Sequence, residues 1–168
     1  MEFDSKAYID EYIERARKAQ REYEKFSQEQ IDEIVMTIAK VVHDNALYLA
    51  EIAVEETGMG VVADKTAKNK GKARTIWNSL KGKKSRGIIE RDETAGITKV
   101  AKPMGVVAAI TPCTNPIVTP MSNSMFALKG GNAIIITPHH KSVRSSAKTV
   151  EMINAELDKL GAPKHLIQ

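Results

Sequence analysis

A chain of 168 residues, 42% apolar and 27% charged, has the balance of a globular protein and the length of one ordinary domain. Its apolar runs are too short to cross a bilayer, no signal peptide opens it, and its one cysteine excludes an internal disulfide; a cytoplasmic protein with no membrane partner is expected. The net charge of +4 hides an asymmetry, with 15 acidic and 7 basic side chains in residues 1–64 against 6 acidic and 18 basic in residues 65–168. Half of those 18 lie between Lys65 and Arg86, where no acid occurs. Such a run reads as a solvated helix and loop, or as a basic face for a phosphorylated ligand or an acidic neighbouring subunit. Nucleic acid is not an expected partner, because Trp77 is the only aromatic residue in the run.

The N-terminal half carries helical periodicity. Ile9, Tyr12, Ile13, Ala16, Gln20 and Tyr23 form a mostly apolar stripe, with Asp4 or Ser5 able to cap its start. The stripe suits packing on the rest of the domain, or docking to a partner. Ser27-Gln28-Glu29-Gln30 has the form of a capping box ahead of Ile31, Ile34, Val35, Ile38 and Val42. Asn45 is placed to cap a third helix with Leu47, Ala50 and Val54 inward, and Gly58 lies past its end. A fourth helix is expected over residues 63–80, weakened by Gly71. Two partly alternating runs, residues 87–91 and 96–100, flank Asp92-Glu93-Thr94-Ala95 and predict a hairpin.

Residues 106–110 then form a nearly unbroken apolar run, which predicts a strand buried on both faces of a parallel sheet. Thr111-Pro112-Cys113-Thr114-Asn115-Pro116 breaks it. A helix follows over residues 117–129 with Met121, Met125 and Leu128 on one face, and Gly130-Gly131 ends it. Residues 133–136 make a second apolar run, stopped by Thr137-Pro138. Strand, helix, strand is one βαβ unit, and ligands bind at the C-terminal edge of such strands. Ser142 is placed to cap a last helix with Val143, Ala147, Val150 and Ile153 inward, and residues 165–168 open a third parallel strand. The fold class is therefore α/β: a helical region (residues 1–86), a hairpin (87–102), and the first part of a Rossmann-like sheet (103–168). A sheet that stops after so few strands suggests part of a longer polypeptide, or completion by another chain.

Pro103-Met104-Gly105-Val106-Val107 through Ile110-Thr111-Pro112, with Gly131-Asn132-Ala133-Ile134-Ile135-Ile136, resembles the first two cofactor-domain strands of the aldehyde dehydrogenase superfamily. The resemblance covers nearly the whole chain and matches the N-terminal third of that family. Thr111-Pro112-Cys113-Thr114-Asn115-Pro116 followed by Pro138-His139-His140 is most similar to the CoA-acylating branch, which includes acetaldehyde and sulfoacetaldehyde dehydrogenases. The resemblance implies NAD or NADP as cofactor, CoA as co-substrate, a small aldehyde as substrate and no metal. It implies a cysteine nucleophile that lies beyond residue 168, so the chain alone is expected to be inactive. It also assigns residues 87–100 to strands used between subunits, so a homo-oligomer is expected.

Family chemistry needs hydrogen-bond donors for the oxyanion of a tetrahedral intermediate. In hydrolytic relatives a side-chain amide in the loop after the first strand supplies one. Asn115 is the only amide there, yet an ungapped match puts Thr114 at the donor position, and both remain candidates. Asn115 ahead of Pro116 also reads as a turn former. Thr111, Pro112 and Cys113 complete that loop as cofactor contacts, with Cys113, the only thiol, read as a small packing residue there. Thr137, Pro138, His139 and His140 occupy the loop that holds the adenosine side of the cofactor. A lysine and often a glutamate serve there in hydrolytic relatives, and Thr137 and His140 stand in the matching places. A different reading is a non-catalytic module that binds a nucleotide or assembles with other subunits.

Overall fold

The computed structural model describes residues 4–168. Helices α1 (Ser5–Tyr23), α2 (Gln28–Asp44), α3 (Ala46–Thr57) and α4 (Val62–Leu80) come first. Strands β1 (Gly87–Asp92) and β2 (Ile97–Ala101) follow. Then come β3 (Val106–Thr111), α5 (Val118–Lys129), β4 (Ala133–Pro138), a 3-10 turn (His140–Ser142) and α6 (Val143–Lys159).

Local sequence explains several of the helix ends. The Asp4 carboxylate accepts the Ala7 N–H at the start of α1. Ser27 and Gln30 close the capping box of α2 reciprocally. Gly58 ends α3 at φ 65°, a left-handed conformation that costs glycine nothing. Two caps are not where the sequence suggests. Asn45 makes no side-chain cap to α3; its amide instead donates to the Val41 carbonyl and closes α2. Ser142 leaves the start of α6 uncapped and donates to His139 O. Glu56, from the end of α3, replaces it by accepting the N–H groups of Arg144 and Ser145, both at 2.7 Å.

The core is one cluster around α2, whose Ile31, Ile34, Val35, Ile38 and Val42 are all buried. α2 packs against α3, α4, α5 and α6. Two inward faces are rotated from the expected phase. In α3 the buried residues are Ala46, Leu49, Ala50 and Ala53, with Leu47 exposed. In α6 they are Ser145, Ser146, Thr149, Ile153 and Leu157, with Val143 half exposed. The α6 hydroxyls can face inward because each reaches a backbone carbonyl, Ser146 that of Pro116 and Thr149 that of Ser145.

α1 lies on the sheet and touches both β4 and β3. Its buried end, Ala16, Gln20 and Tyr23, is lashed to the α5–β4 turn. Tyr23 donates its hydroxyl to Leu128 O at 3.2 Å, and Gln20 Nε2 donates to Gly131 O at 3.1 Å. The stripe thus packs within the domain, and only its first turns, with Ile9, remain exposed. Lys129 on α5 is buried and paired with Asp32 on α2.

β3 and β4 pair in parallel, Val106 opposite Ala133 through Thr111 opposite Pro138. Ile167 forms a parallel bridge to Ile134 on the other side of β4. The Ile134 N–H donates to Leu166 O and the Ile136 N–H to Gln168 O, so the expected third strand begins where it should. The expectation of burial on both faces of residues 106–110 fails for β3. Ala108 and Ile110 are exposed, Ile110 at 88%, while Ala109 and Thr111 are buried. β3 is an edge strand here, and no described element packs over the side carrying Ala108 and Ile110. The β1–β2 hairpin forms as expected, pairs with itself, and leaves Ile88, Ile89, Ile97 and Val100 exposed.

Candidate functional site

The C-terminal ends of β3 and β4 meet at one edge of the sheet. Thr111 and Pro138 are register partners, and the His139 N–H donates to Thr111 O at 3.0 Å. The ladder therefore brings the two predicted loops, residues 111–115 and 137–140, side by side. Thr111 is buried, and its hydroxyl has no hydrogen-bond partner among the described residues. Thr137 and His140 are exposed, and Pro138 and His139 are half-buried. The two histidine rings lie 4.1 Å apart between centroids at 30°. His139 Nδ1 accepts the Lys141 N–H and so takes part in the turn into α6.

The loop after β3 is held from below by α4, an arrangement the sequence did not suggest. Pro112 and Thr114 are exposed at its crest, and Cys113 and Asn115 are half-buried. Cys113 Sγ contacts Met59 Sδ at 3.9 Å, as a packing residue would. Lys65 Nζ donates to the Thr114 carbonyl at 3.3 Å, and Lys68 Nζ donates to Asn115 Oδ1 at 2.6 Å. Lysines three apart share one helix face, so α4 presents both to the same loop. α4 is itself fixed by buried Asn69, whose amide donates to Ala46 O in α3. The Lys65 stem passes Gly60, where a β-carbon would sit 3.0 Å from its Cε and where φ is +80°.

The sequence reading of residues 65–86 as a solvated or ligand-facing run therefore needs correction at two positions. Lys65 is buried. Burial pushes its ammonium below the usual lysine range, repulsion from Lys68 adds to this, and Cys113 opposes it. Arg86, at the end of the run, spends its guanidinium on the carbonyls of Glu24 and Phe26, just past α1. The signal available in sequence was the i, i+3 pair Lys65 and Lys68, but nothing local distinguishes it from other lysines of the run.

A cavity of about 420 Å³ lies elsewhere, between α1, β4, α6 and residues 165–168. It touches the predicted residues only at Pro138, and its walls are mostly apolar. The loop edge is the better candidate site, because polar side chains converge there at the ends of parallel strands.

A helical N-terminal region, a short antiparallel pair and a parallel βαβ unit with polar loops at its C-terminal edge define the class as mixed α/β with a Rossmann-like sheet. Residues 2–168 match the model of the aldehyde dehydrogenase family, and the chain belongs to that family. It is 55% identical over 160 residues to the succinate-semialdehyde dehydrogenase (acetylating) of Clostridium kluyveri, covering 95% of this chain and 35% of that protein. An acetylating aldehyde dehydrogenase from Geobacillus thermoglucosidasius superposes with a TM-score of 0.92 at 40% identity, over 95% of this chain and 35% of that one. A propionaldehyde dehydrogenase from Rhodopseudomonas palustris, solved with bound CoA and an acylated cysteine, gives 0.79 at 32% identity, over 95% and 36%. The chain thus spans about a third of the length of these relatives and corresponds to their N-terminal part.

Proposed function

We propose that this chain is the cofactor-domain beginning of an NAD(P)-dependent, CoA-acylating aldehyde dehydrogenase. The observation that carries the reading is the meeting of the 111–115 and 137–140 segments at one parallel-sheet edge, in a chain of this family. NAD or NADP, when bound, supplies the hydride acceptor. The residues at the edge fit its adenosine end: His140 offers an exposed ring, Thr137 an exposed hydroxyl, and Thr111 a hydroxyl with no partner among the described residues. Pro112, Cys113, Pro138 and His139 shape the same edge. The adenosine end of CoA has similar chemistry and takes the same contacts in its turn.

In this reading a cysteine outside residues 1–168 attacks the aldehyde and carries the acyl group to CoA. The part played by this chain is to hold the nucleotide and to present a donor, Thr114 or Asn115, to the oxyanion. Such a donor is worth roughly 3–4 kcal/mol of transition-state stabilisation. The β1–β2 hairpin serves the homo-oligomer.

The test is NAD(P)H formation from acetaldehyde, succinate semialdehyde and sulfoacetaldehyde, with and without CoA, by the whole polypeptide that carries this segment. CoA-dependent turnover with acyl-CoA detected by mass spectrometry is expected. The 168-residue chain alone should form no NAD(P)H, and activity that vanishes in Cys113→Ser would overturn that expectation.

A further inference from the structure

The polarity of one hydrogen-bond chain separates the two donor candidates. A lysine ammonium has three donors and no acceptor, so Lys68 can meet only the oxygen of the Asn115 amide. That contact, at 2.6 Å, fixes which way the amide is turned. The Asn115 Nδ2 then lies on the side of Thr114, 3.5 Å from Oγ1, as the donor of a long hydrogen bond. A hydroxyl that accepts keeps its own proton to give away. Thr114 is exposed at the crest of the loop, and its carbonyl is held separately by Lys65. With the amide turned the other way, Oδ1 would take the Thr114 proton and consume the donor.

From this we infer that Lys68 and Asn115 are positioning residues, and that Thr114 is the catalytic residue of this loop. The chain runs Lys68 Nζ–H to Asn115 Oδ1, then Asn115 Nδ2–H to Thr114 Oγ1. The Thr114 hydroxyl is left to donate to the oxyanion. A charged donor at the head of such a chain strengthens every link after it. The inference rests on the acylating dehydrogenase reading above and adds to it the identity of the donor and of the group that aims it.

The experiment uses the whole polypeptide carrying this segment, with the same three aldehydes. Thr114→Val should lower kcat about 100-fold, the low end of the loss for one oxyanion donor, and Thr114→Ser should keep most of the activity. Lys68→Met, which leaves the amide free to turn, should lower kcat about tenfold with the KM for cofactor and CoA unchanged, a split that marks an interaction made only in the transition state. Lys68→Arg should restore it. Lys68→Glu, which can accept from Nδ2 and reverse the chain, should approach Thr114→Val. In a Thr114→Val background, Lys68→Met should cost nothing further, because residues acting as one unit are not additive. Active Thr114→Val enzyme overturns the assignment of the donor, and additive losses overturn the relay. Both outcomes leave the acylating activity of the unmodified enzyme standing. Absence of turnover in the unmodified enzyme overturns that activity and this inference together. If Lys68→Met fails to fold, the comparison of Thr114→Val with Thr114→Ser still decides.

Discussion

Glu56 shows how one side chain can serve two elements. It ends α3 and caps α6, two helices separated by almost ninety residues. Burial by itself raises its carboxyl, but the Ser145 hydroxyl and amide and the Arg144 amide outweigh that and hold it below its ordinary value of 4.5. A lowered folded value means that the stabilisation is full above the unfolded value and is lost as pH falls through the folded one. Glu56→Ala should therefore destabilise by about 1 kcal/mol at neutral pH, as loss of a helix cap does. The difference from the unmodified chain should shrink in acid, and denaturant melts at neutral and acidic pH measure both. Tyr23 is a second case. Its phenol is held protonated by burial and donates to Leu128 O. Tyr23→Phe removes that bond while Leu128 O keeps the Gly131 N–H, and should cost about 1 kcal/mol.

At the scale of elements, the hairpin is the piece least accounted for by the chain's own packing. A two-stranded ribbon is marginal by itself in water, yet this one exposes Ile88, Ile89, Ile97 and Val100. Cross-strand support comes from the Lys99–Glu90 pair, which is exposed and so contributes little. If the hairpin lies between subunits, Ile97→Lys with Val100→Lys should break the oligomer of the whole polypeptide while the fold persists. Sedimentation velocity with circular dichroism tests this, and an unchanged oligomer assigns the assembly to another surface. The strand ends form a separate element-scale case. His139→Ala with His140→Ala should raise the KM for both cofactor and CoA, and a change below about twofold, roughly 0.4 kcal/mol, would make them ordinary loop residues.

Across the whole molecule, the helices close a core around α2, but the sheet is open. β3 exposes Ile110 at 88%, and Met104, just before the strand, is 92% exposed. An unpaired edge beside exposed apolar groups templates association. The 168-residue chain by itself should self-associate with concentration, and Ile110→Lys should reduce the effect. Light scattering and amide exchange check this together. A monomer at high concentration with residues 105–137 strongly protected would mean that the chain closes its own sheet.

Sequence alone determined the features that depend on neighbours along the chain. The capping box at Ser27, the apolar face of α2, the hairpin, the βαβ unit and the approach of residues 165–168 to the sheet were all legible, because periodicity and turn chemistry act within a few residues. The edge on which Thr111, Pro138, His139 and His140 come together followed from the parallel topology. Tertiary structure decided what depends on partners distant in sequence. It rotated the buried faces of α3 and α6, replaced Ser142 by Glu56 as a cap, and left β3 exposed on one side. It also turned Lys65 and Lys68 out of an ordinary basic run and under the loop of Thr114 and Asn115. A lysine's sequence neighbours fix its place on a helix face, but only packing fixes which carbonyl that face meets.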